Sequence, residues 1–250
     1  MDKSVIIMNF SGVYNEEPFA RNPRFTHLDC THLHGTDCYC DEEGQRSIRR
    51  IIAPYPARGI HFIDSGDYHY VTKFWTDKIN TPFSLVLFDH HTDMQPSRWS
   101  GVLSCGGWVK DMLDSNSLLS HVVILGIPED SVATIPGIYL NRVMAFTDSQ
   151  LHGHAAEQRP LSISEPLYIS IDKDVLDTCS ARTDWEQGTL TLDEMKRVLH
   201  LILKHEKVIG IDICGECPVT LRLFDDDNSL AIDDKANREL LAMFKQQGLF

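Results

Sequence analysis

The fold is decided by the stretch Ser84-Leu85-Val86-Leu87-Phe88-Asp89-His90-His91-Thr92-Asp93. Its apolar first half is too short for a helix and follows Pro82, which predicts a buried strand. Three potential metal ligands, Asp89, His91 and Asp93, come at the carboxyl end. Strand side chains alternate in direction, so Asp89 and His91 share one side, and a sharp turn after His91 would bring Asp93 beside them. The alternative is an ordinary cluster of helix-capping residues.

Length and composition restrict the class of protein. A chain of 250 residues with 42% hydrophobic and 24% charged residues predicts one globular domain over residues 1–250. The formal net charge of -13 argues against nucleic acid and anionic membranes as partners, because both are bound by clustered Lys and Arg. Without a recognisable signal peptide or long apolar segment, we expect a soluble, cytoplasmic protein. In that setting the seven cysteines indicate reduced thiols.

Short apolar runs recur along the whole chain, separated by helical or long connections. Such runs indicate a mostly parallel sheet of about seven to eight strands that helices cover on both faces. The predicted strands are Val5–Phe10, Ile60–Asp64, Phe83–Phe88, His121–Ile127, Arg142–Phe146, Leu167–Ile171 and Val208–Cys214, with a short extended piece at Phe25–Cys30. The predicted helices include Glu42–Ile52, Gly106–Leu113, a helix that begins at the capping box Thr191–Glu194 and ends near His205, and Asp233–Gln247.

Polar residues collect after several of these strands. Ligands of open parallel sheets bind at the carboxyl ends of the strands. His69 follows the second strand and Glu216 the last, and two aspartates follow the sixth. Taken singly, an Asp after a strand is more often a loop or capping residue. Together these carboxylates would repel one another and take up protons unless cations neutralise them, which predicts a two-metal site. Its members are Asp89, His91, Asp93, Asp172 and Asp174.

Two segments resemble the signatures of the ureohydrolase family, which includes arginase, agmatinase and formiminoglutamase. Asp89-His90-His91-Thr92-Asp93 is similar to Asp-Ala-His-x-Asp, and Ser170-Ile171-Asp172-Lys173-Asp174-Val175-Leu176-Asp177 is similar to Ser-x-Asp-x-Asp-x-x-Asp. The resemblance covers residues 60 to 217 and implies an arginase-like, three-layer α/β/α fold with two manganese ions per subunit. It implies one metal on His69, Asp89, Asp93 and Asp172, and the other on Asp89, His91, Asp172 and Asp174.

The resemblance also implies an activity. A divergent family member would be a dinuclear manganese-dependent hydrolase that cleaves a carbon–nitrogen bond of a linear amidine, a guanidino compound ahead of a formimino compound. The nucleophile would be a hydroxide that bridges the metals. Asp174 would steady this hydroxide, and Glu216, one position later than usual, would bind the cationic substrate nitrogen. The family is commonly oligomeric, so a homo-oligomer is possible.

The chain departs from the family pattern at three places. Where the family has Gly-Gly-Asp-His, this chain has Ser65-Gly66-Asp67-Tyr68-His69, so the histidine ligand lies one residue later. Ser104-Cys105-Gly106-Gly107 stands where the family has a proton-transferring histidine, so Cys105 is predicted to relay a proton or to react itself, with a small packing residue as the alternative. The unusual loop 178–188 is predicted to set substrate choice. Arg182 or Asp184 would bind the substrate's far end, and Trp185 would form a wall.

Other interpretations remain open. A zinc amide hydrolase resembling the histone deacetylase relatives would use one metal, against which Asp93 and Asp174 argue. A non-catalytic metal-binding protein on the same fold is a further alternative. The cysteines and histidines of segment 27–40 fit no common zinc spacing. His152 and His154 would be an alternative proton shuttle, although solvated loop histidines are favoured.

Overall fold

A parallel sheet forms the centre of the computed structural model, which describes residues 5–152, 163–222 and 228–248. Among these residues, eight strands pair in the order β2-β1-β4-β10-β9-β5-β7-β8, every pair parallel, and β3 and β6 form a separate antiparallel ribbon. The strands are β1 Val5–Asn9, β2 Thr26–Asp29, β3 Tyr39–Cys40, β4 Ile60–Phe62, β5 Phe83–Phe88, β6 Leu103–Ser104, β7 Leu119–Ile127, β8 Val143–Thr147, β9 Leu167–Asp172 and β10 Val208–Cys214.

Helices connect the strands. The α-helices are α1 Glu42–Ile52, α2 Val71–Thr76, α3 Trp108–Ser115, α4 Asp148–Leu151, α5 Leu192–His205, α6 Val219–Arg222 and α7 Ser229–Gln246. Short 3-10 helices lie at Val13–Asn15, Pro18–Arg21, Gly66–Tyr68, Asp130–Thr134, Gly137–Tyr139 and Lys173–Val175. Two of these 3-10 turns, Gly66–Tyr68 and Lys173–Val175, follow β4 and β9 at the edge of the sheet where the predicted ligands lie.

Side chains of the central strands divide between two apolar cores. On β5, Leu85 and Leu87 pack on one face with α1, α2 and α3, and Val86 and Phe88 pack on the other with α5 and α7. A strand that is apolar on both faces is stable only when both faces are covered. The predicted three-layer α/β/α sandwich is therefore confirmed.

Local capping signals located two helices accurately. The Asp41 carboxylate accepts a hydrogen bond from the backbone N of Gly44 at 2.8 Å, and α1 has the predicted bounds. At α5, Thr191 and Glu194 exchange both bonds of the capping box. Helix α7 begins at Ser229, four residues before the predicted start, because its first turns bury polar side chains that give no apolar periodicity.

The remaining differences are small. Helix α3 begins and ends two residues later than predicted, and the extended piece near Phe25 joins the sheet as β2. All seven cysteines are free thiols. Within the described ranges, no helix combines the length and the apolar character needed to cross a membrane.

Candidate metal centre

The carboxyl ends of β4, β5 and β9 surround a cavity of about 230 Å³. All six ligands predicted from the sequence lie on its wall, although they come from three separate segments of the chain. These residues are His69, Asp89, His91, Asp93, Asp172 and Asp174.

Four of the six converge on one point. The Nδ1 atom of His69 lies 3.3 Å from Asp89 Oδ2, 3.2 Å from Asp93 Oδ2 and 3.4 Å from Asp172 Oδ2. This buried nitrogen has no hydrogen-bond partner among the described residues, and neither has Asp89 Oδ2. Ligand atoms about 2.1 Å from a cation lie about 3.0 to 3.4 Å from their neighbours in octahedral or tetrahedral geometry. The four side chains therefore fit a divalent cation.

The orientation of the His69 ring supports this role. Its Nε2 atom lies 2.8 Å from Ser170 Oγ, which lies 3.1 Å from Thr72 Oγ1. A proton on Nε2 that is donated to Ser170 leaves the Nδ1 lone pair directed at the carboxylates. The ring also packs against Trp108, with centroids 4.8 Å apart. The 3-10 turn Gly66–Tyr68 places His69 in the cluster, although His69 lies one residue later than the histidine of the Gly-Gly-Asp-His pattern.

Asp93 reaches the same point through a sharp turn. Its φ of +50° is a left-handed conformation that reverses the chain after His91, as the sequence predicted. The indole N–H of Trp108 donates to Asp93 Oδ2 and holds the carboxylate in place.

A second cluster lies on the other side of Asp89. His91 Nδ1 lies 2.7 Å from Asp174 Oδ2 and 3.6 Å from Asp89 Oδ1. Asp89 thus presents one oxygen to each cluster, which is the geometry of a bridging carboxylate. Asp172 differs, because its Oδ2 atom faces His69 while its Oδ1 atom accepts the backbone N–H of Asp174 at 3.0 Å.

Burial and like charges favour protonation of several groups in the cluster. Burial, and then the neighbouring Asp89, raise the pKa of Asp93 to about 7. Burial, and then the negative charges of Asp172 and Asp89, raise the pKa of Asp174 well above its usual value. Burial would lower the pKa of His91, but hydrogen bonds with Asp174 and Asp89 raise it to about 11. Cations would displace these protons, so the donor set suits two metal ions.

Cys105 lies on the cavity wall, as the resemblance implied. Its backbone N donates to the Cys38 carbonyl at 2.9 Å, so the two cysteines are neighbours. A hydrogen bond with Cys38, and then burial, raise the pKa of the Cys105 thiol far above its usual range. The thiolate is the reactive form of cysteine, so this environment disfavours Cys105 as a nucleophile.

The loop 178–188 contributes one residue to the wall. Trp185 lines the cavity with its ring 5.9 Å from that of His91, and its indole nitrogen donates to Asp67 Oδ1 at 3.2 Å. Arg182 is not on the wall, and its backbone N donates to Asp233 Oδ1 at 2.9 Å. Asp184 is an exposed residue beside Trp185 and is also absent from the wall.

The structure does not place Glu216, which the resemblance implied as a substrate contact, on the cavity wall. Glu216 is fully buried, and its oxygens accept hydrogen bonds from Lys173 Nζ at 2.7 Å and Asn237 Nδ2 at 2.8 Å. The family position is occupied instead by Gly215, where an added Cβ would lie 2.4 Å from Asp172 Oδ1. The shift of one residue therefore turns the carboxylate away from the cavity and into the protein interior.

Some residues at the site carry no signal in the sequence. Trp108 contacts both His69 and Asp93 but lies 15 residues after Asp93, in a segment whose pattern indicates an ordinary amphipathic helix. Ser131 and Thr134 line the cavity from the 3-10 helix that follows β7. Their only available signal is the position of that turn after a strand of the same sheet.

The candidate shuttle His152 is at the surface. Its ring nitrogens lie 3.2 Å from Glu194 Oε1 and 3.0 Å from Thr189 Oγ1, and it does not line the cavity. His154 lies outside the described residues.

Comparison with known proteins gives one consistent result. The model of the Arginase family matches residues 59–220. An uncharacterized protein of Thermotoga maritima is 30% identical over 213 residues, which cover 84% of this chain and 78% of the relative. The structure of proclavaminate amidino hydrolase from Streptomyces clavuligerus has a TM-score of 0.70 at 15% identity and covers 98% of this chain and 91% of its own. The structure of Trypanosoma cruzi formiminoglutamase with Mn²⁺ has a TM-score of 0.66 at 14% identity, and the match covers 99% of this chain and 93% of the other. At these identities the two structures show likeness of fold.

Proposed function

Because the chain belongs to the arginase family, we propose that it is a dinuclear manganese-dependent hydrolase that cleaves a carbon–nitrogen bond of a linear amidine. The observation that carries this proposal is the position of Asp89, whose two oxygens face two separate ligand clusters. One cluster alone would fit a single-metal enzyme.

We assign one metal to His69, Asp89, Asp93 and Asp172, and the other to Asp89, His91, Asp172 and Asp174. Carboxylate oxygens with one imidazole per metal are ligands that suit manganese. The Mn²⁺ ions in Trypanosoma cruzi formiminoglutamase, which shares the fold, support the choice of metal. Two such ions would lower the pKa of a water molecule enough to supply hydroxide near neutral pH.

The protein's own groups would orient and receive protons. Asp174 Oδ1 accepts the backbone N–H of His90 at 3.0 Å, and Oδ2 is held by His91, so the carboxylate is fixed at the cavity wall. From there Asp174 would accept a hydrogen bond from the nucleophile and steady the tetrahedral intermediate. We assign Cys105 no role in this step, because the raised pKa of its thiol disfavours the thiolate form.

The charge around the cavity favours a cationic substrate. None of the described residues on its wall is a Lys or Arg. Asp67 contacts the wall residue Trp185, and Asp37 and Asp184 lie close to Asp67. Partial desolvation, and then the negative charge of Asp67, raise the pKa of the exposed Asp184 to about 7. We therefore propose a guanidino compound whose far end is an amine, as in agmatine, ahead of substrates with carboxylates.

A product-release screen tests this function. The manganese-loaded protein would be offered guanidino alkylamines, arginine and formimino compounds, with urea, ammonia and formamide as readouts. We expect urea from the guanidino alkylamine. Asp184→Asn should raise its KM, because this carboxylate would bind the amine end. Asp174→Ala should abolish turnover with an unchanged circular dichroism spectrum, whereas Asp193→Ala, on the exposed side of α5, should retain it.

Two outcomes would refute the proposal. Two bound metals with no product from any amidine would point to a binding protein on this fold. One zinc ion per chain together with cleavage of a simple amide would point to the one-metal alternative.

A further inference from the structure

Two cysteines that are distant in sequence lie side by side next to the metal cavity. The ribbon formed by β3 and β6 pairs Tyr39 with Ser104, and its next residues, Cys38 and Cys105, are joined by the 2.9 Å hydrogen bond from Cys105 N to Cys38 O. Cys38 is half-buried and Cys105 is buried on the cavity wall. The backbone of Cys38 has a φ of +52°, a left-handed conformation that is rare outside glycine, so its side-chain position is imposed by the fold.

A carboxylate completes this group. The Cys38 thiol donates to Asp67 Oδ1 at 2.8 Å, and the Cys38 Sγ, Cys105 Sγ and Asp67 oxygen atoms all lie within 4.8 Å of one another. Around a tetrahedral zinc ion, bonds of about 2.3 Å to sulfur and 2.0 Å to oxygen place neighbouring ligand atoms about 3.5 to 3.8 Å apart. The three side chains need only small rotations to reach that spacing.

We propose that Cys38, Cys105 and Asp67 bind a thiophilic divalent cation, zinc by preference, as a third metal site beside the dinuclear centre. Thiolate ligands select zinc, whereas the carboxylate and imidazole ligands of the neighbouring clusters suit manganese. The two kinds of site would therefore select different metals at neighbouring positions, one on the cavity wall and one beside it. Binding releases the two thiol protons to solvent and leaves one net negative charge on the site. This site does not depend on the proposed hydrolase function.

The position of Cys105 gives the site access to the cavity. Three protein ligands leave one coordination position open, as in catalytic zinc sites. Since Cys105 lines the cavity wall, the open position is reached from the cavity, where a donor atom of a bound molecule would complete the coordination shell. Trp185 donates to the same Asp67 oxygen as Cys38, Oδ1, at 3.2 Å and so restricts the orientation of the carboxylate.

Cobalt substitution tests the site without reference to turnover. The reduced full-length protein would be freed of metal, loaded with Co²⁺ and measured for metal content and for the near-ultraviolet charge-transfer band that thiolate–cobalt bonds produce. We expect this band and a third metal ion per chain. Added Zn²⁺ should bleach the band, and Mn²⁺ should not. Cys38→Ser and Cys105→Ser should each lose the band and the third ion, with the circular dichroism spectrum reporting that the fold persists.

Two other cysteines provide controls. Cys179→Ser, at an exposed cysteine, should leave the band unchanged. Cys214 is buried with its thiol 3.2 Å from Asp172 Oδ2, and Cys214→Ser should also retain the band. A band that disappears in Cys214→Ser and persists in Cys38→Ser would overturn the assignment in favour of the dinuclear centre. Two cobalt ions and no band in the reduced protein would overturn the proposal as well.

Discussion

Replacing Lys173 with methionine should destabilise the whole protein, because Lys173 is a fully buried cation that faces two buried carboxylates. Its Nζ atom lies 2.7 Å from Glu216 Oε2 and 3.7 Å from Asp233 Oδ1, and none of the three side chains is exposed. Removal of one partner from a buried ion pair costs about 3 to 5 kcal/mol, because the remaining charge is left without compensation. For a domain of this size each kcal/mol lowers the melting temperature by about 2 to 4 °C, so Lys173→Met should lower it by about 6 to 20 °C.

Thermal unfolding followed by circular dichroism would measure this effect in the metal-loaded protein. The double variant Lys173→Met/Glu216→Gln removes the cation and its nearer carboxylate and should recover part of the loss, since Asp233 still has Arg222 at 3.8 Å. Lys235→Met serves as the matched control. Its side chain is 68% exposed and 3.8 Å from Glu239, and we expect a change of less than about 1 kcal/mol.

The same variants separate a structural role of Glu216 from a substrate contact. If Glu216 binds substrate, Glu216→Gln would raise KM and leave the melting temperature unchanged. The structure leads us to expect the reverse, a lower melting temperature with little change in KM. A melting temperature of Lys173→Met within about 2 °C of the wild type, or a double variant no more stable than the single one, would refute this reasoning.

Two further predictions concern the metal ligands. Gly215→Ala should lower the metal content measured by elemental analysis, because the new Cβ would lie 2.4 Å from Asp172 Oδ1 at a φ of +86°, whereas Gly137→Ala, with no atom within 4 Å, should bind metal normally. An unchanged metal content in Gly215→Ala would contradict the placement of Asp172. The stability of the metal-free protein should fall as the pH rises from 5 to 8. In the folded chain Asp93 and His91 have pKa values of about 7 and 11 and keep their protons over much of this range, whereas in the unfolded chain they release them. Saturating Mn²⁺ should remove this loss, and a melting temperature in chelator that rises over the same range would contradict it.

Much of the fold and half of the site could be predicted from local sequence. The β5 run followed by Asp89, His91 and Asp93 predicted both a buried strand and a ligand set, because strand alternation and one sharp turn determine where these side chains lie. The capping box at Thr191 likewise located a helix, since its two hydrogen bonds are formed within four residues. Such signals need no knowledge of the rest of the chain.

Tertiary structure decided the features whose partners are distant in sequence. His69 joins the first cluster despite its displaced position because a 3-10 turn rotates it inward, while Glu216, also displaced by one residue, is turned towards Lys173 instead. Equal shifts in sequence thus had opposite results, because the direction of a side chain after a strand depends on the backbone of the following turn and on the packing around it. Cys38 likewise lies beside Cys105 because of tertiary structure, since the pairing of β3 with β6 brings the two residues together.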